Sequence, residues 1–194
     1  MPKGRAARLL LGAVLGLLVG LGIGLVLAGG GDDADGGPVA TEGGALQDVG
    51  IPVATDVAGD PLPDVTVETL EGEELSLRDL AGRPLILNLW YSTCPPCVRE
   101  MPAFETVHQR VGDDVRFVGV NPVDSAGAAR DFAADVGVTY ELVRDPGGAA
   151  TAELGVARFP TTVFVDADGR ILATDPNELS ESELTERIEE LFPA

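Results

Sequence analysis

Residues 85–102 read LILNLWYSTCPPCVREMP, and the change of pattern within them decides the fold. Leu85 to Tyr91 is a nearly continuous apolar run of strand length, the signature of a strand covered on both faces. Pro95 then opens a stretch suited to a helix as far as about Val111, because proline is harmless in the first helical turn, where no N–H is needed. The strand belongs in the middle of a sheet. Cys94 and Cys97 fall at the junction between strand and helix.

That placement has chemical consequences. A two-residue gap permits a short, reversible disulfide. At the start of a helix, unpaired backbone N–H groups and the helix dipole favour a thiolate. Cysteines in such settings have pKa values lowered from about 8.5 to about 3.5–7.5. Cys97, one turn further in, is expected to be less exposed, so Cys94 exchanges with the partner and Cys97 resolves the mixed disulfide. Other uses of the pair fit less well. Structural zinc takes about four ligands, and the only other soft candidate is His108, which reads as an exposed helix residue, so no metal is expected. Covalent haem attachment needs histidine directly after the second cysteine, and Val98 stands there. A purely structural bridge stays open, although closing so small a loop restrains the unfolded chain little. With only two cysteines, a domain held together by many disulfides is excluded.

Outward from this segment, a single domain runs from about Gly50 to the end. Asp64 to Leu70 alternates apolar and polar residues, Glu71-Gly72 is a turn, and Glu74 to Leu77 continues the alternation, which predicts a β-hairpin. Beyond the active segment, Val115 to Val120 reads as a second buried strand. Ser125 to Val136 reads as an amphipathic helix capped by Ser125. A short strand at Glu141 to Arg144 and a weak helix at Ala149 to Leu154 follow. Thr162 to Val165 and Ile171 to Thr174 flank the hairpin signal Asp166-Ala-Asp-Gly169, and Ser180 to Leu191 closes the chain as a helix with Glu183 three residues after its cap. Strands alternating with helices and ending in a hairpin predict an α/β fold, a mixed sheet with helices on both faces and an N-terminal hairpin extension.

Two segments in this order, NLWYSTCPPCVREMP at 88–102 and RFPTTVFVDADG at 158–169, resemble the thioredoxin superfamily, in its membrane-anchored TlpA-like and ResA-like branch. The likeness covers about residue 50 to the end and implies a thioredoxin-like fold. In it, Pro160 is cis and sits against the cysteine pair, leaving the backbone at Phe159 a free edge for substrate. Thr93, Pro95, Phe159 and Pro160 then belong to the surface that meets substrate, and Trp90 either contributes to that surface or lies in the core. Pro102 corresponds to the proline that kinks the family's active-site helix. The chain departs from thioredoxins proper at Asn88, where they place an aspartate beneath the resolving cysteine. Glu100, one turn past Cys97, corresponds to a glutamate of the anchored branch and is the expected proton acceptor for Cys97. A second departure is Thr93, where many relatives have tryptophan. A peroxiredoxin, which shares the fold, needs Thr or Ser three residues before its reactive cysteine. Tyr91 stands there instead.

Ahead of the domain, residues 9–28 contain only Leu, Val, Ile, Ala and Gly, and as a helix they would reach about 30 Å, the hydrocarbon thickness of a bilayer. Lys3, Arg5 and Arg8 precede every acidic residue of the chain, so residues 1–8 are expected in the cytoplasm and the domain outside it. A cleaved signal peptide is the alternative, with Val26 and Ala28 as small residues at the cleavage site. Gly12, Gly16, Gly20 and Gly24 would line one ridge, through which two such helices could pair as a dimer. Glycine is also simply common in membrane helices. Residues 29–49 are glycine and acid, the composition of a flexible tether.

The chain as a whole carries 32 acidic against 13 basic residues, a formal net charge of −19. That balance argues against nucleic acid or anionic lipid as a partner of the domain. Taken with the resemblance, these features predict thiol-disulfide exchange outside the cytoplasm with no cofactor. The resemblance further implies a reductant of exported proteins, apocytochrome c among them, that draws electrons from a membrane thiol carrier. An oxidant that installs disulfides in secreted proteins, and a non-enzymatic binding module, are the alternatives.

Overall fold

A computed structural model describes residues 55–193; the apolar segment 9–28 and the linker 29–49 lie outside the described residues. Along the chain run β1 (Thr66–Thr69), β2 (Glu74–Ser76), β3 (Leu85–Leu89), α1 (Pro95–Val111), β4 (Arg116–Asn121), α2 (Ala126–Val136), β5 (Glu141–Arg144), α3 (Ala149–Glu153), β6 (Thr161–Val165), β7 (Ile171–Asp175) and α4 (Glu181–Leu191). This is the order the sequence predicts. The strands form one sheet in the order β2-β1-β5-β4-β3-β6-β7. β3, β4 and β5 are parallel, whereas both hairpins pair antiparallel at the flanks. The result is a mixed sheet extended by an N-terminal hairpin.

Caps settle where the helices begin. The Ser125 hydroxyl accepts the N–H of Ala128 at the start of α2. Ser180 and Glu183 make a reciprocal capping box on α4, which satisfies two N–H groups that the helix itself cannot pair. At the β6–β7 turn, Asp166 accepts the N–H groups of Asp168 and Arg170, and Gly169 takes φ +81°, a conformation open to glycine at no steric cost.

Side chains alternate across each strand, so β3 feeds two cores. Leu85, Leu87 and Leu89 join Val118, Val120, Val143 and Val163 beneath α3 and the short 3-10 turn Leu77–Leu80. Ile86 and Trp90 join Phe117 and Phe164 beneath α1, α2 and α4. Helices therefore cover both faces, but unevenly: the three long ones share the face that carries the cysteines. The expected strand Leu85 to Tyr91 stops at Leu89. Its last partner on β6 is Thr161, and the next residue, Pro160, has no N–H to extend the ladder.

Trp90 takes the core alternative, which removes it from the substrate-binding surface. Its side chain is fully buried and stacks on Phe132 of α2 with ring centroids 5.2 Å apart. It is core and presents no face to a substrate. Gly119 on β4 makes room for it, because a Cβ there would lie 2.8 Å from Trp90 Nε1 and 2.6 Å from Leu142 Cδ2. Replacing Gly119 by alanine should destabilise the domain by about 1–3 kcal/mol through overpacking, measured as a lower urea midpoint at unchanged slope.

Candidate functional site

Cys94 is the N-cap of α1, with φ −89° and ψ 105°, and Pro95 and Pro96 occupy the first helical positions. Its sulfur is bonded to that of Cys97, and the Cα atoms are 5.3 Å apart. Cys94 Sγ also accepts the backbone N–H of Cys97 at 3.3 Å. This N–H is one of the four that a helix leaves unpaired at its start, so it is free to hold negative charge on sulfur. Cys97 is fully buried and Cys94 is 2% exposed. Of the two, Cys94 is the residue that retains any surface. Thr93 and Pro95, on either side of it, are exposed.

The loop that carries Cys94 is fixed from an unexpected direction. Ser92 donates both its N–H and its hydroxyl to the Asp124 carboxylate, at 2.7 and 2.8 Å. Asn121 at the end of β4 donates through Nδ2 to the same carboxylate, and its side-chain Oδ1 accepts the N–H groups of Val123 and Asp124. Arg144 links the Asp124 carbonyl to Glu68 of the hairpin extension. Sequence reasoning missed Asn121 and Asp124. The local signal was an asparagine at a strand end with an aspartate three residues on, a pattern that favours side-chain-closed turns.

Beneath α1, Asn88 lies on the same face of β3 as Ile86 and Trp90 and is buried. Its Nδ2 donates to Glu100 Oε1 at 2.7 Å, while Glu100 Oε2 accepts the Leu179 N–H at 3.1 Å. Glu100 is 1% exposed. Burial pushes its carboxyl up to about 7; the two hydrogen bonds oppose this, and the negative charges of Glu178 and Asp175 add to it. A carboxyl poised near neutrality can take up and release a proton at ordinary pH. Glu100 and Asn88, singled out separately from sequence, thus form one unit.

The second sequence segment arrives at the same place. Phe159–Pro160 is a cis peptide bond, as the resemblance implies, and Pro160 is buried. The pairing of Leu89 with Thr161 sets Pro160 level with Trp90 at the head of the active loop. Phe159 is half-buried and meets Tyr91 edge to face, with centroids 5.3 Å apart. α1 continues through Pro102. His108 corrects a further expectation: it is half-buried, with its Nδ1 enclosed, because its ring packs on Phe117 and Tyr140.

Residues 57–188 match the redoxin family. The thiol-disulfide oxidoreductase ResA of Halalkalibacterium halodurans is 30% identical over 137 residues, covering 70% of this chain and 78% of that protein. The thiol:disulfide interchange protein HelX of Rhodobacter capsulatus is 36% identical over 143 residues, covering 71% and 78%. Among solved structures, a secreted Mycobacterium tuberculosis disulfide oxidoreductase described as homologous to Escherichia coli DsbE aligns with a TM-score of 0.60 and 29% identity. That alignment covers 66% of this chain and 96% of that one.

The raised Glu100 carboxyl ties stability to pH. The unfolded chain releases this proton near 4.5 and the folded one holds it to about 7, so the fold is favoured below that window and loses stability as pH rises through it. The loss should be on the order of 3 kcal/mol, and Glu100→Gln should flatten it in denaturant melts run from pH 4 to 8.

Proposed function

Because this chain belongs to the redoxin family and is a thiol-disulfide oxidoreductase, we propose that it works outside the cytoplasm, reducing disulfides of exported proteins through Cys94 and Cys97. The observation that carries this reading is Cys94 at the α1 N-cap, its sulfur already receiving a backbone N–H. With the pair reduced, the Cys94 thiolate attacks one sulfur of a substrate disulfide. The first substrate thiolate leaves and takes a proton from water. A mixed disulfide remains on Cys94. Cys97 then gives its proton to Glu100 and attacks Cys94 Sγ, closing the intramolecular disulfide and expelling the second substrate thiolate. Two electrons have passed from the pair to the substrate. A membrane thiol carrier restores them by the reverse exchange.

Residues 9–28 serve as the membrane anchor and residues 29–49 as its tether, keeping the domain near partners at the surface and raising their effective concentration. The glycine ridge from Gly12 to Gly24 gives two anchors a face on which to pair. The haem-binding cysteines of apocytochrome c are substrates of the required kind, since they must be free thiols before haem is attached. Thr93 and Pro95 flank Cys94 on the docking surface, and the half-buried Phe159 borders it with the buried Pro160 behind.

Two measurements test this reading. Cys97→Ala blocks the resolving step, so exported proteins with reducible disulfides should accumulate on Cys94 and be recovered by mass spectrometry of non-reduced complexes; an empty Cys94 would count against it. The potential of the pair should lie near that of thioredoxin, about −270 mV, whereas a value near −120 mV would mark an oxidant.

A further inference from the structure

Of the 13 basic residues, Lys3, Arg5 and Arg8 lie ahead of the domain and the remaining ten are arginines within it. Nine of these bind a carboxylate or a backbone carbonyl through the guanidinium. Arg158 has no such partner among the described residues, and it is exposed. It stands two residues before the cis-bonded Pro160, where the buried Thr161 hydroxyl donates to its carbonyl at 2.9 Å and fixes the backbone. With Val156, Thr161 and Pro176 it lines a surface cleft of about 350 Å³.

The other side of the site carries a second outlier. Val123 is the one large hydrophobic residue that is exposed among the described residues, at 61%. Isolated apolar side chains at a surface are ordinary, but this one is held in place. Its N–H goes to Asn121 Oδ1 at 2.9 Å, and the next residue, Asp124, holds Ser92. β3 lies between β4 and β6, and Leu89 pairs with Val120 on one and with Thr161 on the other. Val123 and Arg158 therefore stand at the same end of the sheet, on opposite sides of the active loop. The Val123 turn bonds to that loop at Ser92, and Phe159, beside Arg158, meets it at Tyr91. Neighbouring strands are about 4.8 Å apart, so the two sides are roughly 10 Å from each other, the reach of about three extended residues.

We propose that this face selects a partner segment by an acidic side chain bound at Arg158 and an apolar one seated on Val123, with the target cysteine between them. The inference rests on the reading of Cys94 as the exchanging thiol and names the class of polypeptide it takes. A carboxylate that reaches Arg158 displaces water, whereas at the other nine arginines it would have to replace an existing bond. Charge sets the register of the segment at one end and apolar burial sets it at the other. Thr55 lines the same cleft, so the acidic residues of the tether are the competing source of a carboxylate.

The test uses the reduced full chain and disulfide-linked dimers of short peptides, each with one central cysteine. Leucine stands two residues to one side of it and Asp, Asn or Lys two residues to the other, in both orders. In the favoured order the Asp peptide should be reduced about threefold faster than the Asn peptide, and Asn about threefold faster than Lys. High salt should compress the series. Arg158→Gln should erase it and Arg158→Glu invert it, while Val123→Ser should lose the advantage of leucine over serine in the peptide and keep the charge order. Equal rates in the wild type, a charge order that survives Arg158→Glu, or a leucine advantage that survives Val123→Ser overturns the proposal and leaves the reductant reading standing. A charge order that appears only after Asp32, Asp33, Asp35, Glu42 and Asp48 are replaced by their amides makes the tether the occupant and overturns it too. If the reduced chain leaves every dimer intact while its disulfide form oxidises the peptide thiols, the reductant reading falls. The proposal then stands or falls on the same charge order measured in that direction.

Discussion

β3 has all five of its residues buried, hydrogen-bonded to a strand on each side and packed on both faces, and the site hangs from its C-terminal end. A strand held this way has no freedom to slip, because a shift of one residue would exchange the contents of the two cores. Asn88 is thereby fixed under the helix that carries the cysteines. Trp90 is fixed against Gly119, and the loop from Tyr91 to Thr93 leaves the sheet from a single point. The precision of the cysteine pair is therefore inherited from packing several residues upstream.

Against that rigid base, two polar arrangements oppose each other in kind. Above the strand end, Asp124 is a carboxylate given enough donors to keep its place, and it uses them to hold the Ser92 backbone. Below, Glu100 is given fewer donors than its burial demands. An unsatisfied buried charge is costly, and Asn88 leaves its own Oδ1 without a partner there. The same shortage that costs stability moves the carboxyl into the range where it can serve as acid and base. A domain that replaced Glu100 and Asn88 with apolar side chains would lose the buried titratable carboxyl that α1 carries one turn beyond Cys97.

The acidic surface has a related logic. With so few basic residues, cations are placed where they connect elements: Arg144 between the hairpin extension and the Asp124 loop, Arg116 between β4 and Glu141, and Arg99 between α1 and Glu178. Exposed pairs of this sort add little stability each.

Much of this was legible in order along the chain. Apolar runs and alternation gave the strands, Ser125 and Ser180 gave helix starts, and the cysteine spacing behind a buried strand gave the chemistry, because each depends on residues near in sequence. Which side of the sheet Trp90 would occupy, that His108 would be half-buried, and that Asn121 and Asp124 would hold the active loop were not legible. Those outcomes depend on β4 lying beside β3, on α2 folding over the same face, and on Gly119 leaving space. The sequence alone determined that a reactive cysteine pair would sit at a helix start. Only the tertiary structure decided that Glu100 would be buried against Asn88 and Leu179, since the desolvation that tunes its carboxyl comes from residues brought together by the sheet and by α4.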